Sequence, residues 1–388
     1  MEDRSLVQHV GRAAETALDL VYALLSALPC GAGAAQVRIN GNAYDIVKLL
    51  GEGGFSLVYL VRDPATGQQY ALKKIRCQYG EASVREALAE VDAMHRFRGP
   101  NVIRACDAAV VRDDVRASVL GNIPAGDEES TPGRVVYILL PYFANGNVQD
   151  AINAHVIHGT RFDERTILQL FLGACRGVKT MHSYALPDDT VEAAPAKGDT
   201  DSLLFDADEA YPPAAPMRVP SEAPADAARV AYAHRDIKPA NIMIADDGRT
   251  PILMDFGSAI PARVAIQSRK EAIAHQDLAA ERSSMPYRAP ELFDVKTDVV
   301  LDEKVDIWAL GCTLYAMAYL HSPFETASTT EQGGSLALAV TNGAYKFPTN
   351  DTYSDALRGL IKECLVTDPT RRPSIDALIS ATEAALRA

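Results

Sequence analysis

Three short strings hold residue types suited to phosphate chemistry: Gly51-Glu52-Gly53-Gly54-Phe55-Ser56-Leu57-Val58, His234-Arg235-Asp236-Ile237-Lys238-Pro239-Ala240-Asn241, and Asp255-Phe256-Gly257. In the first, Gly51 and Gly53 let the backbone fold closely over phosphates, where a side chain would clash. Val58 is placed to cover one face of an adenine. In the second, Asp236 is suited to accept or orient the proton of a hydroxyl. Lys238 is suited to neutralise a migrating phosphate, and Asn241 to bind magnesium. Asp255 is expected to chelate the metal that bridges the phosphates. The interval from Asp236 to Asp255 has room for a β-hairpin turning at Asp247-Gly248. Together these groups supply what moving the γ-phosphate of Mg-ATP onto a hydroxyl requires.

Two further groups complete the set. Lys73, in Tyr70-Ala71-Leu72-Lys73, is expected at the end of a strand, pointing into a cleft toward the α- and β-phosphates. A lysine there needs a carboxylate to hold it. Glu90 and Glu86 lie one turn apart on one face of the following helix, and both compete for that place. The run Leu140-Pro141-Tyr142-Phe143 reads as a hinge. Adenine needs the carbonyl of Pro141 and the N–H of Phe143, so the N–H that proline lacks is not missed. Leu140 stands at the back of the pocket.

These residues need elements to position them. Strand-like alternation starts at Val37 and runs through Tyr44–Leu50, Ser56–Arg62 and Gln69–Ile75, with a turn at Pro64-Ala65-Thr66-Gly67. A helix is expected over Glu81–Arg98, stopped by Gly99-Pro100, then strands over Ala105–Val111 and Arg134–Tyr142. After Asn145-Gly146 the chain reads as mostly helical. The outline is α+β, a small antiparallel β lobe (37–143) with one key helix and a larger helical lobe (144–388). Residues 185–230 are rich in proline and acidic residues and poor in periodic apolar content, so they are expected to be a disordered insert. Residues 4–29 read as an amphipathic helix ended by Pro29 and Gly31, within an N-terminal segment 1–36. Its apolar stripe and Cys30 suit either peripheral, S-acylated membrane attachment or packing on the body of the protein.

The chain has 388 residues and a formal charge of −13, which argues against nucleic-acid binding. Its six cysteines are scattered with no CxxC pair, which points to a reducing, cytoplasmic setting without zinc or disulfides. No stretch is apolar for the roughly 20 residues that a membrane span needs.

At this point the chain resembles the eukaryotic protein kinases over about residues 40–380, the insert excepted. Ala289-Pro290-Glu291 resembles the end of the activation segment, Asp306-Ile307-Trp308-Ala309-Leu310-Gly311 the central helix, and Asp368-Pro369-Thr370-Arg371-Arg372-Pro373 the closing motif, with Arg372 as the partner of Glu291. Ser56 replaces the third glycine of the usual loop. The family spacing to Gly99-Pro100 favours Glu90 over Glu86. The resemblance adds Leu50, Ala71 and Met243 to the nucleotide-binding set. Lys238 is similar to the lysine of serine/threonine kinases, and Ser284 to the hydroxyl that bonds the catalytic pair. Ser283 and Ser268 are then the autophosphorylation candidates, and a helix is expected over Arg263–Ala280. Met94-His95-Arg96, Leu140-Pro141-Tyr142-Phe143, Leu253-Met254-Asp255 and Gln276-Asp277-Leu278-Ala279-Ala280 are similar to the Numb-associated kinase group. Within it they resemble the lipid-anchored Golgi and vacuole-membrane kinases. The resemblance implies ATP and Mg2+ as cofactors, protein substrates, and a peripheral place on Golgi or vacuolar membranes. Glu2 stands where the animal members carry a myristoylated glycine. A pseudokinase scaffold is the competing class.

Overall fold

The computed structural model describes residues 35–53, 56–77, 81–112, 133–185, 229–325 and 335–388. The expected N-terminal helix with Cys30, most of the insert, and Gly54 and Phe55 lie outside the described residues. The chain packs as two compact units. Among the described residues, the first holds the chain through Asp92 and from Arg104 to Tyr142. The second holds Ala93–Ile103 and, among the described residues, everything from Phe143 onward.

The first unit is built on a six-stranded antiparallel sheet. Its strands are β1 (Gln36–Ile39), β2 (Asn42–Glu52), β3 (Ser56–Arg62), β4 (Gln69–Cys77), β5 (Asp107–Arg112) and β6 (Arg134–Pro141). Their order across the sheet is β1-β2-β3-β4-β6-β5. Helix α1 (Glu81–Arg96) joins β4 to β5. Strand β1 lies ahead of the first strand expected from the alternation. It pairs with β2 through a turn at Asn40-Gly41, both with positive φ (46° and 83°), an Asn-Gly hairpin signal legible in the sequence. Ile39, Tyr44, Leu57, Tyr59, Val61, Leu72 and Leu139 form a buried cluster on this sheet.

The second unit is mainly helical. Helix α2 (Val148–His158) starts with a capping box in which Asn147 and Asp150 satisfy each other's backbone N–H. Helix α3 (Glu164–His182) leads into β7 (Tyr184–Ala185), which pairs with β8 (Arg229–Val230). The ends of the expected insert are therefore tied together by Tyr184↔Val230 and Ala185↔Arg229, a closure that leaves the body of the unit uninterrupted. Strand β9 (Tyr232–Ala233) precedes the His234 string, and β10 (Ile242–Ile244) and β11 (Pro251–Leu253) form the hairpin expected between Asn241 and Asp255. β12 (Ile260–Pro261) pairs with β9.

The helix expected over Arg263–Ala280 is divided. Val264–Ile266 instead forms β13, pairing with β14 (Val299–Leu301), and helix α4 runs Arg269–Arg282. Val264 and Ile266 are β-branched and suit a ladder. Ser268 caps α4 in a capping box with Glu271, a Ser-x-x-Glu start signal that the earlier boundary overran. Helix α5 (Lys304–Tyr319) is buried from Val305 to Ala318, as a helix apolar on every side must be. Its Trp308 stacks on Phe324 at 5.5 Å. Helices α6 (Leu336–Thr341), α7 (Asp355–Cys364) and α8 (Ile375–Arg387) complete the unit. No helix among the described residues is long and apolar enough to cross a membrane.

Candidate active site

In the first unit, strand register gathers the nucleotide-binding candidates. Gly51 stands opposite Val58, Val58 opposite Lys73, and Lys73 opposite Ile138. In the next row Ala71 stands opposite Leu60 and Leu140. Directly opposed residues of an antiparallel ladder share a face. Gly51, Val58, Ala71, Lys73 and Leu140 therefore line one side of the sheet, and Leu72 turns to the buried cluster on the other. Leu50 is partly exposed beside an irregularity in β2. Glu52 and Gly53 are exposed, and the Gly53 N–H donates to Ser56 O at 2.7 Å, closing the turn. Pro141 ends β6 opposite Tyr70.

Lys73 Nζ lies 2.8 Å from both Glu90 carboxylate oxygens. The Glu90 side chain is only 5% exposed and that of Lys73 15%, so the pair sits largely out of water. Glu86, the rival, is exposed. A buried carboxylate is tolerated when paired and hydrogen-bonded, and Glu90 is held in that way.

In the second unit the His234–Asn241 string is fixed from below and from the side. Asp306, fully buried on α5, accepts from His234 N (2.8 Å), Arg235 N (2.9 Å) and His182 Nε2 (2.9 Å). Burial works against ionisation of Asp306. The His182 hydrogen bond, with the electrostatic influence of His182 and His234 and the Arg235 amide, outweighs it and holds the carboxyl below its usual range. Arg235 takes a positive φ of 66°, a strained conformation for a side-chain residue, and its anchored N–H holds it there. His234 Nδ1 accepts from Asp236 N at 3.3 Å while Nε2 faces Met254 O at 3.0 Å, which assigns the proton to Nε2.

Three contacts then fix the Asp236 side chain. Ser284 N donates to Oδ1 at 2.8 Å. Lys238 Nζ reaches Oδ2 at 2.7 Å and Asn241 Nδ2 reaches it at 3.1 Å. Lys238 Nζ also donates to Ser284 Oγ at 2.7 Å. The Ser284 hydroxyl, expected to bond both Asp236 and Lys238, meets Lys238, and it is the Ser284 backbone N–H that meets Asp236. Asn241 Nδ2 donates to Asp236 O as well, and Met254 N donates to Asn241 O at 3.0 Å, which brings Asp255 beside Asn241. Asp255 also has a positive φ of 66°. Phe256 behind it is buried against Phe97 (5.8 Å) and His234 (5.4 Å).

Among the described residues no group of three or more His, Cys, Asp or Glu side chains converges on a metal position. A magnesium ion carried on nucleotide phosphates needs only one or two protein ligands, and Asp255 with Asn241 fits that requirement. Met243 lies in β10 opposite Ile252, and Phe143 opens the second unit. Arg372 and Glu291 form the expected pair, bidentate at 2.7 and 2.8 Å, with the guanidinium over Trp308. Ser283 is buried with its hydroxyl engaged, and Ser268 serves as a helix cap. His182 was not anticipated, since a lone histidine at a helix end gives no signal.

A family model described as a protein kinase domain matches residues 44–186 and 229–382. The chain is 36% identical over 344 residues to the serine/threonine-protein kinase ppk13 of Schizosaccharomyces pombe, covering 89% of this chain and 91% of that one. It is 34% identical over 376 residues to the serine/threonine-protein kinase ENV7 of Saccharomyces cerevisiae, covering 94% and 98%. It is also 34% identical over 355 residues to serine/threonine-protein kinase 16 of Rattus norvegicus, covering 92% and 94%.

Proposed function

The chain belongs to the protein kinase family, and on that premise we propose that it transfers the γ-phosphate of ATP to serine and threonine hydroxyls of proteins. The observation that carries this reading is the arrangement at Asp236, whose carboxylate is fixed by Ser284, Lys238 and Asn241. A carboxylate held this way is ready to accept the hydrogen bond of an incoming hydroxyl and point its oxygen at phosphorus. Lys238, already shared between Asp236 and Ser284, is placed to offset charge on the migrating phosphoryl group. Lys73, braced by Glu90, holds the α- and β-phosphates, and Gly51, Val58, Ala71 and Leu140 supply the surface for the nucleotide. Asp255 and Asn241 would hold magnesium, which when bound would offset charge on the phosphate oxygens. The whole set remains in one chain, which favours a working enzyme over a scaffold.

The test is transfer of labelled γ-phosphate from Mg-ATP to the protein itself and to a generic protein substrate, wild type beside Asp236→Asn. Transfer by wild type, recovered on phosphoserine or phosphothreonine and reduced about a thousandfold in the variant, is expected. A folded wild type that binds ATP and transfers nothing would replace this reading with the scaffold.

The reading extends to place. Residues 1–36, with their amphipathic pattern and Cys30, attach the enzyme to the surface of a Golgi or vacuolar membrane through an S-acyl chain. Support comes from the sequence pattern and from the resemblance to lipid-anchored kinases. Cys30→Ser is expected to move the protein from the membrane fraction to the soluble one, and an unchanged distribution would refute acylation at Cys30.

A further inference from the structure

The stretch from Ser258 to Arg288 carries the chain from Asp255-Phe256-Gly257 back to Asp236, and its far end is fixed by contacts around Arg288. Helix α4 ends at Arg282. Ser283 turns back on it, donating from N to Ala279 O at 3.1 Å and from Oγ to the same carbonyl at 2.6 Å. Arg288 is 8% exposed. It donates from Nε to Ser283 Oγ at 3.0 Å, and from Nη2 to Ser283 O at 2.7 Å and Ala280 O at 3.3 Å. The face of its guanidinium lies over the Phe293 ring, 4.9 Å from the centroid. Ser258 Oγ donates to Arg282 O at 2.7 Å on the same helix end.

The last carbonyls of a helix lack intrahelical donors and carry partial negative charge, so a cation with a fork of donors suits them. Arginine meets that need in a fixed geometry that lysine does not reproduce. Burial pulls the Arg288 guanidinium below its ordinary range, and the nearby Asp236 carboxylate pushes back. The clamp and the carboxylate, remote in sequence, are therefore electrostatic neighbours.

We infer that Arg288 is a positioning residue for phosphate transfer. By clamping Ser283 to the end of α4 it sets Ser284, and Ser284 sets the Asp236 carboxylate and the Lys238 ammonium. The inference rests on the kinase reading above. All the groups that make the clamp belong to the chain itself and are neutral acceptors or the one guanidinium.

The experiment uses the full chain as wild type, Arg288→Met and Arg288→Lys. It measures kcat and KM for ATP per folded molecule, and hydrogen exchange at the Ser284 amide. Displacement of a reacting group by about 1 Å costs about 100-fold in rate. Arg288→Met is thus expected to lower kcat about 100-fold, with KM for ATP changed less than about twofold and the Ser284 amide exchanging faster. Arg288→Lys keeps the charge and one direction of donation, and is expected to recover about a tenth of the wild-type rate. A folded Arg288→Met protein with wild-type kcat, or with wild-type protection at Ser284, would overturn the inference. If Arg288→Met does not fold, the lysine variant decides: a lowered kcat at constant KM supports the clamp, and wild-type kinetics removes it. If wild type transfers no phosphate, the kinase reading fails, while exchange at Ser284 still reports whether Arg288 holds that residue.

Discussion

The two sets of candidate residues, one in each unit, are held in different ways. In the first unit, strand register puts Gly51, Val58 and Lys73 in one row, and the Lys73–Glu90 ion pair ties that row to a helix. In the second unit, Asp236 and its neighbours sit on loops. Their positions depend on hydrogen bonds to residues remote in sequence, Asp306 beneath and Ser284 beside. A nucleotide-binding face needs shape, which a pleated sheet supplies at every rung. A transfer site needs a few atoms at fixed distances, and loops reach that precision only when several partners over-determine them. Two positive-φ residues, Arg235 and Asp255, are found in this second half, where the anchoring is densest.

The largest effect that separates the halves is expected at Lys73. Lys73→Met removes a phosphate ligand and leaves the Glu90 charge buried without its ammonium. Activity is expected to fall about 100-fold, and stability by about 3 kcal/mol. Adding Glu90→Gln removes the stranded charge, so the double variant is expected to regain most of the lost stability and none of the activity. Thermal unfolding beside a phosphate-transfer assay checks both. If the double variant stays as unstable as the single one, the first half is braced by more than one ion pair, and the contrast between the halves weakens.

The contrast also explains what the sequence disclosed. The sheet half was legible because alternation gives strands, and strands fix which residues share a face. Even there the alternation runs on from Val37 and does not by itself mark the Asn40-Gly41 turn that separates β1 from β2. The spacing of the His234 and Asp255 strings located the transfer half. The groups that hold it were not legible in the same way. His182 is one histidine at a helix end, and its partner Asp306 lies far along the chain. Arg288 has the look of an ordinary surface residue until α4 closes over it. The division of Arg263–Ala280 into β13 and α4 turned on pairing with Val299–Leu301, a distant partner that local periodicity does not reveal. The Ser268–Glu271 capping box was the one local sign of the true helix start.

A smaller effect tests the anchoring of the second half. Asp306→Asn retains one acceptor oxygen but turns an amide toward donors, so the Arg235 backbone loses part of its hold. A fall in kcat of about tenfold is expected, together with a lower melting temperature. The folded-state carboxyl titrates below its ordinary value of 3.8. Its contribution to stability is therefore complete above pH 3.8 and is lost as the pH falls through the lower folded value. The gap in melting temperature between wild type and variant is expected to be widest near neutral pH and to close in acid. A gap that widens in acid would mean that Asp306 is not held ionised by His182 and the two backbone amides.

The smallest expected effect returns to the sheet. Among the described residues a methyl group at Gly51 would meet no atom within 4 Å, and the residue does not have a positive φ. The fold itself therefore gives no reason for glycine there, in contrast to Gly41, whose φ of 83° requires it. Gly51→Ala is expected to leave the melting temperature unchanged or slightly raised, because alanine narrows the unfolded ensemble. If phosphates lie over this strand, the methyl group intrudes on them. KM for ATP is then expected to rise about fivefold at constant kcat, the signature of lost ground-state and transition-state binding together. An unchanged KM would move the phosphates away from Gly51. A lowered kcat would mean that the sheet half takes part in positioning for transfer as well as in binding, and the division of labour between the two halves would then have to be redrawn.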